Sequence, residues 1–352
     1  VLRIKEEDME AVLVREEAPV RASDERHAKL EVRLKSITAL ADDINAFEFV
    51  SVDGALLPPF TAGSHIDVYL AGGVIRQYSL CNSPQERHRY VVAVLRDERG
   101  RGGSVAMHDA LRAGQKLQIS QPRNHFALSS AAGLHVFVAG GIGITPVMAM
   151  IDEVRTRGQA FHLYYCARTA QRAAFLDELK PLIESGQASL HFDNGDPRNG
   201  LDLVSTLSGY SSGTHLYYCG PGPLMDAIEA ASAHWPAATR HCERFSAGAA
   251  ANATRSSHTD SDSEKDAPFD VELRRSQKTL TVQPGESIVD VLRCNGVDVD
   301  TSCCEGYCGT CMTRYLAGEP VHRDTVLDDE DREEFVMICC ARAKSATLVL
   351  DI

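Results

Sequence analysis

Residues 303–311 read CCEGYCGTC, and this short stretch decides how the rest of the chain is read. Cys303, Cys308 and Cys311 give the spacing C-x4-C-x2-C, and Cys339 follows 28 residues further on. Thiolates at this spacing are the pattern of a plant-type 2Fe-2S ferredoxin. Four thiolates have to surround two irons, and small residues such as Gly306, Gly309 and Thr310 let backbone N–H groups approach the sulfurs. Those hydrogen bonds, with the net charge of the site, set the reduction potential. The competing metal is zinc, whose structural sites usually pair two short C-x2–4-C knuckles. Here three candidate ligands share one loop and the fourth arrives alone.

Six of the eleven cysteines crowd into 303–340. In a reducing compartment such crowding reads as cluster or metal ligation rather than a disulfide framework. The other five, Cys81, Cys166, Cys219, Cys242 and Cys294, are scattered, and a lone cysteine is by default a small buried hydrophobe. Around the loop, FDVELRRS and KTLTVQPG predict a hairpin, SIVDVLRCNG predicts a helix and LVLDI a closing strand. These elements make residues 268–352 a separate module. Before it, 246–267 is small, polar and charged, without aromatic or large aliphatic residues. Such a stretch buries too little surface to order itself and predicts a linker.

The long N-terminal part divides again. Over 30–130, runs such as LEVRLKSI, AFEFVSV, HIDVYL, RQYSL and RYVVAVL are separated by turn residues, which predicts an antiparallel β-barrel. Over 131–245, the strand-like LHVFVA, HLYYCA, SLHF and HLYYCG alternate with helical stretches, which predicts an α/β domain with a parallel sheet. HLYYC occurs twice, at 162–166 and 215–219, as expected of two sheet-centre strands of similar composition. Residues 1–29 form a charged N-terminal extension without the apolar core of a secretory signal.

Two glycine turns stand where strands meet helices. VAGGIGITP at 138–146 follows a strand and opens a helix, with Thr145 as its expected cap and Pro146 in its first turn. Such a turn sets N–H donors against a pyrophosphate, although it is not the G-x-G-x-x-G of the dinucleotide fold. RDERGRGGS at 96–104 supplies a second phosphate cradle before helical VAMHDAL. RQYSLCN at 76–82 resembles the R-x-Y-S flavin motif of the ferredoxin reductase superfamily; the resemblance implies an arginine fork on phosphate or a flavin edge, a tyrosine flat against the ring and a serine hydrogen-bonded to flavin N5.

At this point the chain resembles the phthalate dioxygenase reductase family over about 28–352, nearly its whole length. The match runs through R-x-Y-S at 76–79, GGIGITP at 140–146, YYCGPGPLMDAI at 217–228, the cysteine loop, HRDTVLDDED at 322–331 and MICCARAKSATLVLDI at 337–352. It departs at Cys304, where an acidic residue is expected. The resemblance implies FMN rather than FAD, NADH rather than NADPH, and a β-grasp ferredoxin domain at 268–352. It implies an FMN site of Arg76, Gln77, Tyr78 and Ser79 with Ala93, Val94, Leu95, Gly102, Gly103 and Ser104. It implies a nicotinamide site of Gly140, Gly141, Gly143, Thr145, Cys219, Gly220 and Pro221, with Ser79 and Cys219 at the hydride-transfer point. Phe245, in HCERF, is placed by the resemblance on the flavin, although a lone phenylalanine is more often core. The cluster ligands implied are Cys303, Cys308, Cys311 and Cys339. Cys340 is passed over, since successive side chains of an extended segment point to opposite faces.

The expected function follows from the combination. NADH gives two electrons at once, a 2Fe-2S cluster accepts one, and FMN can hold either number. The chain is therefore expected to feed single electrons to a terminal oxygenase, a Rieske-type dioxygenase or an O-demethylase. A redox sensor or electron store without turnover is the alternative. A second rival, that the chain itself oxygenates a substrate, has no support: the sequence supplies no mononuclear iron triad, haem ligand or Rieske C-x-H pattern. The net charge of -13 argues against a nucleic-acid surface, and no apolar run approaches the ~18–20 residues that span a bilayer. A cytoplasmic protein, monomeric in isolation, is expected.

Overall fold

The computed structural model describes residues 29–245 and 267–352; the expected N-terminal extension, save Lys29, and the linker, save Ala267, lie outside the described residues. The first sheet is built from β1 (Lys29–Ala41), β2 (Ile44–Ser51), β3 (Ser64–Leu70), β4 (Val74–Ser79), β5 (Tyr90–Leu95), β6 (Lys116–Ser120) and β7 (Arg123–Asn124). Its antiparallel order is β4-β3-β6-β1-β2-β5, with β7 beside β3. Leu80, just past β4, bridges to Val92 in β5, so the two ends of this path meet. Alternation drives the folding: Val32, Leu34, Phe47, Phe49, Ile66 and Val68 turn to one side and are fully buried. Each such side chain stabilises the fold by roughly 1.5–3 kcal/mol. Helix α1 (Gly103–Ala110) adds Met107 to this core.

The second sheet is parallel. It comprises β8 (Leu134–Gly140), β9 (Ala160–Ala167), β10 (Ala188–Phe192), β11 (Thr214–Cys219) and β12 (Arg240–Glu243), in the order β10-β9-β8-β11-β12. Helices α2 (Ile144–Thr156), α3 (Leu176–Glu184), α4 (Leu203–Leu207) and α5 (Gly222–Ala231) connect the strands. The two HLYYC segments are β9 and β11, which flank central β8, so their likeness reflects like surroundings. From β8 the chain goes first to one side and later to the other. That reversal makes a topological switch point at the carboxyl ends of β8 and β11, where sheets of this kind carry the crevice that takes a ligand. Ile44, Ala62, Cys81, Ala93 and Phe126 share one apolar core with Phe137, Ile144, Met150 and Tyr217, so the antiparallel and parallel units are packed together without a spacer.

The C-terminal module has β13 (Phe269–Leu273), β14 (Lys278–Val282), α6 (Ile288–Cys294), β15 (Met312–Ala317), β16 (Pro320–Val321), β17 (Phe335–Met337), β18 (Arg342–Ala343) and β19 (Thr347–Leu350). The sheet order is β14-β13-β19-β15-β17, with β13 parallel to β19, and β16 pairs with β18. Ser287 caps α6 by accepting from the Asp290 N–H at 3.1 Å, and the helix buries Ile288, Val289 and Leu292. This module has a core of its own. Among the described residues, Tyr69, Gln77, Arg101, Thr310 and Tyr307 donate hydrogen bonds between it and the rest of the molecule, and Lys29 pairs with Asp300.

Three histidines lie at the far end of the parallel sheet. His215 Nδ1 and His241 Nε2 are 2.9 Å apart, His241 stacks on Tyr217, and His135 is fully buried beside them. Burial first, then His215 and His135, lower the His241 pKa to about 4. The folded state therefore favours the neutral ring. Its contribution is fully present above the unfolded value near 6.5 and is lost as pH falls toward about 4. The melting temperature should fall over that window, and His241→Asn should flatten the fall, by about 1–2 kcal/mol after solvent screening. An unchanged pH profile of melting in the variant would contradict this.

Candidate functional site

The four cysteines Cys303, Cys308, Cys311 and Cys339 converge, with exposures of 3%, 1%, 3% and 5%. The Cys303 N–H donates to Cys308 Sγ at 3.4 Å and the Glu305 N–H to Cys303 Sγ at 3.3 Å. Hydrogen bonding with Cys303, then burial, holds the Cys308 thiol far above the ordinary range; Cys339 and burial do the same for Cys311. Cys303 is also within hydrogen-bonding reach of Cys339. Among the described residues, no three or more His, Cys, Asp and Glu side chains form a site for one metal ion. A two-iron cluster held by four cysteines asks for a wider ring of sulfurs than a single ion does, and this donor set is chemically suited to it. Cys340 instead directs its thiol to the Met337 carbonyl at 3.7 Å, and Cys304 is exposed.

The cluster loop rests on β4. Gln77 Nε2 donates to the Cys308 carbonyl at 2.9 Å, and Arg101 Nη1 donates to the Cys303 carbonyl at 2.9 Å. Arg76 runs beside them, donating to the Arg101 carbonyl at 2.6 Å and the Ile75 carbonyl at 2.7 Å. It crosses the start of α1: a Cβ on Gly103 would lie 2.3 Å from Arg76 Cγ. The arginine of the R-x-Y-S motif and the glycine cradle at Gly102, Gly103 and Ser104 are thus side by side, as a shared phosphate site requires. The Ser104 hydroxyl is engaged with Asp97, accepting from its N–H at 3.0 Å. Ala93 and Val94 are buried on β5 and Leu95 is half-buried. Tyr78 is half-buried, and its hydroxyl pKa is raised by burial. Phe245 is 39% exposed, and its carbonyl accepts from Tyr307 OH of the cluster loop at 3.1 Å.

Gly140, Gly141, Gly143 and Thr145 lie at the carboxyl end of β8, and Cys219, Gly220 and Pro221 at that of β11. The two walls touch: a Cβ on Gly143 would lie 2.3 Å from the Cys219 carbonyl oxygen. Thr145 does not cap α2. A 3-10 turn over Gly141–Gly143 runs straight into the helix with Gly143 already at helical φ/ψ, so the Thr145 hydroxyl donates back to the Ile142 carbonyl at 3.0 Å. Cys219 ends β11 fully buried, and burial raises its thiol pKa well above the ordinary value.

Sequence reasoning passed over Glu243. It stands opposite Cys219 in the β11–β12 register and accepts from Ser79 Oγ at 3.2 Å. Burial raises its carboxyl pKa to about 7, against the lowering effect of Ser79. His65 lies behind it, Nδ1 3.9 Å from Glu243 Oε1, buried and held neutral by burial first and then Arg123 and His125. Glu243 was visible inside HCERF, but its partner Ser79 is far away in sequence.

A parallel nucleotide-binding unit joined to a four-thiol iron–sulfur module defines a class: an NAD-dependent iron–sulfur oxidoreductase. Residues 271–344 match the 2Fe-2S iron-sulfur cluster binding domain, and residues 137–230 the oxidoreductase NAD-binding domain. The chain is 45% identical to the tert-butanol monooxygenase / tert-amyl alcohol desaturase reductase subunit of Aquincola tertiaricarbonis, covering 92% of this chain and 96% of that one. It is 41% identical to the phthalate dioxygenase reductase of Burkholderia cepacia, covering 92% and 97%. A solved phthalate dioxygenase reductase structure superposes with a TM-score of 0.67 at 40% identity, covering 92% of this chain and 98% of that one. The chain belongs to the phthalate dioxygenase reductase family. Among the described residues no helix is long and apolar enough to cross a membrane.

Proposed function

We propose that this chain oxidises NADH and delivers the electrons singly to a separate terminal oxygenase, a Rieske-type dioxygenase or an O-demethylase. One observation carries the reading. Strand β4 bears the flavin motif Arg76–Ser79 and, through Gln77, also grips the loop of the four thiols. The relatives named as reductases of a monooxygenase and of phthalate dioxygenase support the choice of partner. Bound here, FMN and a 2Fe-2S cluster supply the conversion of a hydride into single electrons.

The residues divide the work as follows. Arg76 and the N–H groups of Gly102, Gly103 and Ser104 hold the FMN phosphate. Gln77 and Tyr78, with Ala93, Val94 and Leu95, would line the ring of bound FMN, and Phe245 would stack on it. Gly140, Gly141, Gly143 and Thr145, with Gly220 and Pro221, hold the nucleotide in the crevice. Cys303, Cys308, Cys311 and Cys339 take the cluster. Ser79 and Cys219 orient the hydride path, and Glu243 holds a proton at Ser79 Oγ, its pKa near 7 suiting either state. The finer architecture belongs to the same reading: a closed FMN-binding barrel over 30–130, an NAD-binding domain over 131–245 and a β-grasp ferredoxin domain over 268–352. The chain acts as a cytoplasmic monomer.

NADH is favoured over NADPH. Arg172, one of two arginines able to meet a 2′-phosphate after β9, is paired with Asp43 at 3.3 Å. The test is anaerobic titration of the purified holoprotein, with cofactors quantified after heat release. FMN, two irons, and bleaching by NADH followed by turnover only when an oxygenase is added are expected. FAD in place of FMN, or comparable specificity constants for NADH and NADPH, would break the corresponding part. Bleaching without turnover on any oxygenase would leave an electron store.

Cys219→Ala should slow flavin reduction by roughly 10- to 100-fold while flavin content is kept. A stopped-flow rate equal to the parent's would make Cys219 a packing residue only.

A further inference from the structure

Asp67 sits in the middle of β3, almost wholly buried. One carboxylate oxygen, Oδ2, accepts from Arg123 Nη2 at 2.7 Å. The other, Oδ1, accepts from Thr310 Oγ1 of the cluster loop at 3.2 Å. Thr310 is buried as well, and the Cys308 thiol donates to its oxygen at 3.3 Å. Asp67 is the register partner of Gln77, so neighbouring strands hold the same loop at two points, the Thr310 hydroxyl and the Cys308 carbonyl.

A hydroxyl has one proton to give. Between a carboxylate and a sulfur, the charged oxygen fixed by Arg123 is the stronger acceptor. A cysteine bound to iron has lost its own proton, so the Cys308 sulfur then receives no hydrogen bond from Thr310 as long as Asp67 is in place. Without Asp67, the same hydroxyl is already within reach of the sulfur and turns to donate to it. Hydrogen bonds to cluster sulfurs tune the reduction potential, and a donor stabilises the more negative, reduced state.

Building on the function proposed above, we infer that Asp67 is a positioning residue that keeps the Thr310 proton away from Cys308 and so holds the cluster's reduction potential lower than the loop alone would set it.

The test is a redox titration of the intact holoprotein with dithionite and mediators, followed by electron paramagnetic resonance. Thr310→Val alone should leave the cluster potential near the parent value, because its hydroxyl gives nothing to the sulfur. Asp67→Asn should move the potential to a more positive value, and Thr310→Val added to it should cancel that move. A lowered potential in Thr310→Val alone would overturn the inference, since the hydroxyl would already be donating to Cys308. A positive shift that survives in the double variant would overturn it too, as plain loss of a charge. Asp67→Asn strands a buried Arg123, so Asp67→Asn combined with Arg123→Gln, in which both members of the pair are neutral, is also compared with and without Thr310→Val; a positive shift that Thr310→Val does not cancel overturns the inference there too. The titration needs neither NADH nor an oxygenase, so its failure leaves the proposed function standing. A parent chain without a cluster would defeat both.

Discussion

Cys339→Ser should strip the chain of its iron–sulfur absorption and its low-temperature paramagnetic signal, with iron content falling at least about tenfold. Cys340→Ser should keep both. The two thiols are adjacent in sequence but have different surroundings. Cys339 is within reach of Cys303 and Cys311, whereas Cys340 turns to the Met337 carbonyl. In Cys339→Ser the flavin should still be reduced by NADH and pass electrons to artificial acceptors. The opposite pattern would exchange the two assignments. Loss in both variants with altered circular dichroism would mean that the module had unfolded, and the Cys339 assignment would then rest on Cys339→Ala paired with Cys340→Ala.

Gly143→Ala should abolish reduction by NADH, lowering the rate at least about 100-fold, since a misplacement of about 1 Å at a reacting centre already costs that much. The added methyl would sit 2.3 Å from the backbone oxygen of Cys219. No rotamer change relieves a clash with backbone, so the two walls of the crevice have to part. The antiparallel sheet and the C-terminal module do not depend on that contact, and flavin and cluster spectra should persist. The comparison is Gly141→Ala, where nothing lies within 4 Å and only a left-handed φ of +53° is strained, at roughly 1–2 kcal/mol. Parent-like reduction by Gly143→Ala would mean that the crevice is not where NADH binds.

The parts legible in the sequence were those written contiguously. The cysteine loop, the strand-turn-helix of VAGGIGITP and the alternation of β1 to β5 each carry their own periodicity or spacing, and local rules read them. Glu243, Asp67, Arg123 and His65 escaped because each acts through a partner from another sheet or another strand. A carboxylate inside HIDVYL reads as one polar residue on a strand face. Only its partners, Arg123 from β7 and Thr310 from the cluster loop, mark it as a buried acceptor. Thr145 was misread for a different reason. Its position before Pro146 fits a cap, but the preceding glycines already form a 3-10 turn, and the helix needs no side chain to begin.

Four thiols sunk in the closed molecule also constrain the order in which it is manufactured. A carrier that hands over a ready-made cluster has to meet each sulfur directly. In the closed form the loop is fastened from β3 and β4 and the sulfurs are out of reach. Iron therefore has to arrive while the cysteine loop is still open around its four sulfurs, and a chain whose loop closes empty has to open it again before it can be matured.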